Sequence, residues 1–252
     1  IGAGSAGCHM ARACIREGHE VSVYDNDSSA FERFKGLYKE RYGVWDEIDN
    51  DVSPSDLFVI ATPPDTHLSI INDAVRFKLG SKILVEKPLC LPHQLDDMPK
   101  VMVNYNHLHS NSFKHFRTMN HFCSPKGKRP DKIEVNWRES VDYILKAHPW
   151  IESIEKSYLG DYKRGGGSAY EHSHGMACAL ALFKDLKRED IKDLKVDKKM
   201  NGNYDEYMKI EFVIRGIPIS VTTDFTSQEV DKSISLTQDD YFSTCIFGSA
   251  ED

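Results

Sequence analysis

Apolar residues in the first hundred positions fall into short runs separated by segments of helical spacing. Met10, Ala11, Ala13, Cys14 and Ile15 recur at helical intervals, and Gly18 supplies a stop. Val21-Ser22-Val23-Tyr24 alternates as a half-buried strand does and ends at Asp25. A charged helical stretch near Ser29–Tyr42 precedes the apolar run Leu57-Phe58-Val59-Ile60-Ala61, which leads into Thr62-Pro63-Pro64-Asp65-Thr66-His67. Leu68, Ile70, Ile71, Ala74 and Val75 mark the next helix. Ile83-Leu84-Val85 then runs into Glu86-Lys87-Pro88, and Val101-Met102-Val103 is a further short strand. Short apolar strands alternating with helices predict a doubly wound parallel sheet with helices on both faces, here over residues 1–105.

The pattern changes over residues 106–252. Lys132–Trp137, Tyr207–Ile214 and Ile217–Asp224 alternate like antiparallel strands, with Arg215-Gly216 as the hairpin turn between the last two. One strong helix is expected at about Ala169–Phe183. The second part therefore reads as an α+β domain appended to an α/β one. No internal repeat or low-complexity segment interrupts either part.

Composition narrows the function classes. The 252 residues are 40% apolar and 28% charged, as in a soluble globular protein, and no apolar run approaches the length needed to span a bilayer. A net charge of −7 argues against nucleic acid as a partner, and Lys126-Gly127-Lys128-Arg129 between two prolines reads as a solvated loop. Six cysteines show no CxxC and no regular spacing, so they read as reduced thiols of a cytoplasmic protein.

The chain opens on Ile1-Gly2-Ala3-Gly4-Ser5-Ala6-Gly7. Glycines at this spacing let a backbone turn tightly, approach a pyrophosphate and pack a helix against a strand. Only Ile1 stands for the strand that normally precedes such a turn, so further residues are expected upstream of it. Asp25 lies about twenty residues on, where a carboxylate grips ribose hydroxyls and repels a 2′-phosphate. No arginine occurs among Asn26–Ala30, which favours NAD over NADP. The plain alternative for Asp25 is a turn or cap residue.

Three later segments join this turn: Ala61 to His67, Glu86-Lys87-Pro88, and Gly165-Gly166-Gly167 followed by Glu171 and His174. In that order and at these separations they resemble the Gfo/Idh/MocA oxidoreductases, the family of glucose–fructose oxidoreductase and inositol dehydrogenase. The resemblance runs over essentially the whole chain. It implies a Rossmann domain, a C-terminal domain with an open, mostly antiparallel sheet, and hydride transfer between a nicotinamide and a sugar or cyclitol. On the cofactor side it points to Gly2, Gly4, Ser5, Ala6, Gly7, Asp25, Thr62, Pro63, Pro64, His67, Glu86 and Lys87. It implies that Lys87 touches the reacting hydroxyl and the nicotinamide ribose. Tyr105-Asn106-His107 resembles the family's substrate-side Tyr-Asn segment, although Leu108 stands where many members carry an arginine. Tyr170 occupies the position of an aspartate common in the family, and the spacing of Glu171 to His174 resembles a variant among sugar-modifying members. Ile246 to Glu251 resembles a late strand segment after which more chain is usual, and family members commonly pair through the sheet, which implies a homodimer or homotetramer.

Elementary chemistry supports the same residues. Ligands of open parallel sheets sit beyond the carboxyl ends of strands, where Gly4, Asp25, Pro63 and Lys87 all fall. Alcohol oxidation needs a base for the hydroxyl proton and a cation for the developing alkoxide. Lys87 is the candidate cation, against a merely solvated lysine. His174 is the candidate base, against a satisfied core histidine, with Glu171 one turn earlier to orient it and His172 as the fallback. His107, His109, His172, His174 and Glu171 also make a conceivable Zn²⁺ set. No metal is expected, because i, i+2 histidines on a helix converge poorly. Two other readings stay open: an NAD-dependent glycosidase working by transient oxidation and elimination, and a cofactor-binding regulatory protein without chemistry.

Overall fold

The computed structural model describes residues 1–27, 29–30, 54–120, 129–148 and 151–248. Most of the charged stretch at Ser29–Tyr42, the run Lys126-Gly127-Lys128, Cys123 and the tail from Ser249 lie outside these residues. The chain divides into two compact units, Ile1–Asn104 and Tyr105–Asp252.

In the first unit, strands β1 (Ser55–Ile60), β2 (Gly80–Glu86) and β3 (Met102–Asn104) form a parallel sheet in the order β1-β2-β3. The layer continues past β1. The Ile1 amino group donates to the Val59 carbonyl at 2.8 Å, and the Ala61 N–H donates to Ile1 at 2.9 Å. On the far side of Ile1, the Gly2 N–H donates to the Tyr24 carbonyl at 2.8 Å. Val21–Tyr24, expected as a strand, lies beside Ile1 and Gly2 through that bond and is not a strand of the sheet. The chain thus leaves Ile1 toward Tyr24 on one side and later returns through β1 on the other. That reversal is the topological switch point of a Rossmann-like sheet, and the glycine turn sits on it.

Helix α1 (Ser5–Arg16) buries Cys8 and Ala11 against Val21 and Val23, and Gly18 (φ +83°) ends it. Helix α2 (His67–Arg76) buries Ile71 and Ala74 against Phe58, Ile60 and Val85. Val75, expected on the apolar face of this helix, is 51% exposed, because the stripe facing the sheet runs through His67, Ile71 and Ala74.

The second unit is built on a six-stranded sheet. Its strands are β4 (Lys132–Arg138), β5 (Ile191–Asn201), β6 (Tyr204–Ile214), β7 (Ile217–Asp224), β8 (Asp231–Gln238) and β9 (Tyr241–Ile246). Their order is β5-β6-β7-β4-β8-β9, antiparallel except for the β4–β7 pair. Helices α3 (Asn111–Met119), α4 (Val141–Ala147), α5 (Ser168–Glu171) and α6 (Ser173–Ala181) complete it. The inner face carries Ile133, Val135 and Trp137 of β4 with Ile219 and Val221 of β7, and these pack with Cys178, Ala179 and Leu182 around α6. The outer face is polar: the register sets Lys195, Glu211, Ser220, Glu134, Ser235 and Thr244 in one row across all six strands. Arg215 and Gly216 both have positive φ and form the expected tight hairpin.

Two features depart from the sequence pattern. The helix expected at Ala169–Phe183 is interrupted at His172, whose backbone (φ −92°, ψ 21°) separates α5 from α6. Strand β5 has no apolar alternation, because it is an edge strand exposed along almost its whole length, and lysines at positions 192, 195, 198 and 199 guard that edge.

Candidate functional site

The three glycines of the opening turn meet different surroundings. A Cβ on Gly2 would lie 2.6 Å from the Ala61 carbonyl oxygen, and one on Gly7 only 1.9 Å from the Gly2 carbonyl oxygen. Those two positions are closed by the protein itself. A Cβ on Gly4 would meet nothing within 4 Å. Gly4 caps α1 with extended backbone and no side-chain cap bond, so the first N–H groups of the twelve-residue helix have no intrahelical or capping side-chain partner at Gly4. This arrangement suits a phosphate: room for a backbone approach and unpaired amide dipoles beside it. Ser5 and Ala6, half-buried, form the first turn.

Asp25 is tied to this turn. Its Oδ2 accepts from the Ala3 N–H at 2.6 Å and its Oδ1 from the Asp27 N–H at 2.8 Å. The turn-forming role therefore exists, and each carboxylate oxygen still has a second lone pair for a ribose hydroxyl.

Two loops leave the carboxyl ends of β1 and β2. In the first, the Thr66 hydroxyl donates to Thr62 Oγ1 at 2.7 Å or the Pro63 carbonyl at 2.8 Å, and Pro64 is buried beneath. In the second, Glu86 Oε2 accepts from the Lys87 N–H at 3.0 Å and Oε1 from Asn104 Nδ2 at 2.7 Å, which anchors the half-buried Lys87 at its backbone. His67 requires a correction. Expected as a cofactor contact, it has no exposed surface, and its ring nitrogens face the carbonyls of Thr62, Pro88 and Leu89. Pro64 and His67 are both buried.

In the second unit, Gly175 fixes the candidate base. A Cβ there would lie 3.1 Å from Val135 and 3.2 Å from Trp137, so α6 sits close on β4 at this point. His174 stacks on Trp137 with ring centroids 5.8 Å apart. Its edge neighbours are His107 at 4.7 Å and Tyr105 at 5.8 Å, and His107 also meets Trp137 and Phe247. His172 points elsewhere: it is 2% exposed and packs edge-on against Phe225 at 5.1 Å. The break at His172 lets two histidines two residues apart serve different clusters. Glu171 is half-buried with the Tyr158 hydroxyl 3.4 Å from its Oε2, Tyr170 is half-buried, and Asn106 and His109 are exposed. Glu171 ends α5 and His174 is the second residue of α6, so the two do not share one continuous helix as expected. Among the described residues no group of three or more His, Cys, Asp or Glu side chains is arranged to hold a metal ion.

Sequence reasoning missed two residues. Trp137 reads as an ordinary inward position of an alternating strand, yet it is the platform for both His107 and His174. Asp205, buried at the start of β6, accepts from the Ser168 hydroxyl at 2.6 Å and the Ala169 N–H at 2.9 Å, and so caps α5 from across the unit. Nothing local in the sequence marks a cap supplied from 36 residues away. The buried thiols are unreactive by environment: burial, with Cys245 nearby, pushes Cys178 up to about 12, and burial pushes Cys245 up to about 11.

Residues 1–109 match the family profile described as "Oxidoreductase family, NAD-binding Rossmann fold", Gfo/Idh/MocA. Among solved structures, the chain is similar to GenD2 from gentamicin A biosynthesis, a complex with NAD, at 16% identity and a TM-score of 0.72, covering 97% of this chain and 70% of that one. It is similar to the WlbA dehydrogenase of Bordetella pertussis, solved with NADH and UDP-GlcNAcA, at 14% identity and a TM-score of 0.72, covering 98% and 72%. Myo-inositol 2-dehydrogenase of Lactobacillus plantarum follows at 13% identity and a TM-score of 0.69, covering 97% and 74%. At these identities the likeness is one of fold. No curated protein matches the chain. No helix among the described residues is long and apolar enough to cross a membrane.

Proposed function

From the match of residues 1–109 to the profile of the Gfo/Idh/MocA oxidoreductases with an NAD-binding Rossmann fold, we propose that the chain is an NAD-dependent dehydrogenase acting on a hydroxyl-bearing carbon of a sugar, nucleotide-sugar or cyclitol. The observation that carries this reading is the glycine corner, closed at Gly2 and Gly7 and open at Gly4 beside the start of α1. Gly4, Ser5 and Ala6 present backbone N–H groups to the pyrophosphate, and Asp25 takes the ribose hydroxyls and disfavours NADP. Thr62, Pro63, Glu86 and Lys87 continue the cofactor side. When bound, NAD supplies an acceptor for the hydride that leaves the substrate carbon.

The protein's own part is proton and charge management. His174 accepts the hydroxyl proton, and its place on Trp137 fixes the ring plane. The Lys87 ammonium stabilises negative charge on the substrate oxygen as the carbonyl forms. Tyr105, Asn106, His107, Tyr170 and Glu171 are assigned to the substrate side. A cytoplasmic setting suits Cys8, Cys14, Cys90, Cys178 and Cys245, all free thiols. A homodimer or homotetramer through the polar outer face of the six-stranded sheet is part of the proposal, and a monomeric mass in sedimentation at micromolar concentration would overturn it.

The decisive experiment offers sugars, uronates, nucleotide sugars and inositols with NAD or NADP and follows reduced nicotinamide by absorbance. Turnover with NAD on at least one class is expected, and Lys87→Met and His174→Ala should each lower kcat by about 10²–10⁴-fold. Preference for NADP contradicts the role of Asp25. Silence across the panel rejects the dehydrogenase.

A further inference from the structure

We propose that His67 is a positioning residue that holds the Thr62–Pro64 loop and the Lys87–Leu89 loop together, so that each half of its ring serves a different step. The assignment of steps rests on the dehydrogenase reading above; the clamp itself rests on geometry. His67 is the first residue of α2 and is 0% exposed. Its Nε2 lies 2.8 Å from the Thr62 carbonyl, at the end of β1. Its Nδ1 lies 3.1 Å from the Pro88 carbonyl and 3.0 Å from the Leu89 carbonyl, just beyond β2. All three partners are main-chain carbonyls, which only accept; a neutral imidazole has one N–H and donates to one loop, so holding both loops together takes an N–H on each ring nitrogen. A ring enclosed in this way has no surface left for a ligand and acts only through the loops it holds.

Those loops carry different work. Thr62 and Pro63 belong to the cofactor side, whereas Pro88 and Leu89 set the backbone that presents Lys87. Displacing a reacting group by about 1 Å costs on the order of 10²-fold in rate, so a buried bond to the backbone next to Lys87 bears on turnover more than on cofactor affinity. The Nε2 half should bear on affinity instead.

Two conservative substitutions separate the halves. The asparagine amide places its N–H near the position of Nδ1, and the glutamine amide near that of Nε2. His67→Asn therefore keeps the Pro88–Leu89 contact and gives up Thr62, and His67→Gln does the reverse. Amide hydrogen exchange read by mass spectrometry needs no substrate. His67→Asn should speed exchange in residues 61–66 and leave 86–91 unchanged, and His67→Gln should do the opposite. By calorimetry, the Kd for NAD should rise about tenfold in His67→Asn and stay within about twofold in His67→Gln. Turnover of the substrate identified by the panel should fall about tenfold in His67→Gln alone. If one variant fails to fold, the other carries the test, since each has one segment that must change and one that must not. Faster exchange in both segments of either variant, or of neither, overturns the clamp. Wild-type protein that gives no heat with NAD overturns the dehydrogenase reading instead, and the exchange pattern still decides the clamp.

Discussion

Each unit of the molecule has a glycine-rich corner, and the two corners need their glycines for opposite reasons. At Gly2 to Gly7 the middle glycine faces open space, so the missing side chain leaves room for something the chain does not supply. At Gly165 to Gly167 the space is taken by the protein: a Cβ on Gly166 would lie 2.2 Å from the Tyr158 carbonyl oxygen, and one on Gly167 2.1 Å from Asp205 Oδ1. One corner leaves room beside the start of α1, where the proposed cofactor would approach, and the other is an internal joint that carries α5 and, beyond the break, His174. Identical residues in a motif thus leave space in one case and allow close packing in the other, and only their neighbours tell which.

The largest expected effect lies at the joint. Gly166→Ala forces a methyl group into two carbonyl oxygens, at 2.2 and 2.4 Å, and should destabilise the protein by about 4 kcal/mol or more in denaturant unfolding. A loss below about 1 kcal/mol would show that the second corner is looser than described and would erase the contrast. Next comes the carboxylate that locks it. Asp205→Ala leaves the Ala169 N–H without its acceptor, while Ser168 keeps Thr223 Oγ1 at 2.9 Å. The expected cost is about 2 kcal/mol, with the Kd for NAD unchanged.

Gly4→Ala sharpens the contrast from the other side. Its φ of −69° suits alanine and the space is empty, so stability should change by no more than about 1 kcal/mol, the cost of a poorer helix cap. NAD affinity should nonetheless fall about tenfold, near 1.4 kcal/mol, because the methyl group occupies the approach to the helix start. Loss of stability without loss of affinity would make this corner a joint as well.

The same contrast explains what the sequence discloses. The α/β alternation is legible because β1 and β2 are buried runs set apart by helices, and the GxGxxG spacing is legible because its chemistry is local. Asp25 and Lys87 follow strand ends, which a periodicity argument locates. What escapes is long-range or edge-bound. Strand β5 hides because an exposed edge needs no apolar alternation. Trp137 hides because a strand pattern shows that a side chain faces inward without showing what it meets. His67 sits in a motif beside the expected cofactor, and only its complete burial shows that it faces the loops instead. The interruption at His172 is invisible to helical spacing, since the Asp205 cap that holds the preceding turn arrives from β6.

The smallest effect concerns the charge inside the second corner. Burial raises the Asp205 carboxyl above its ordinary range, and the bonds from Ser168 and Ala169 oppose this only in part. A carboxyl raised in the folded state binds its proton more tightly there than in the unfolded chain. Its contribution to stability is therefore complete below the ordinary aspartate value, about pH 3.9, and is lost as pH rises through the raised folded value. Asp205→Asn keeps an acceptor for the Ala169 N–H and cannot ionise. Relative to wild type, its thermal midpoint should improve between about pH 4 and pH 7, by on the order of 1 °C. Parallel midpoint curves over that range would mean that ionised Asp205 is fully compensated by its bonds. The second corner would then carry no electrostatic cost, and close packing at Gly166 and Gly167 alone would set it apart from Gly4.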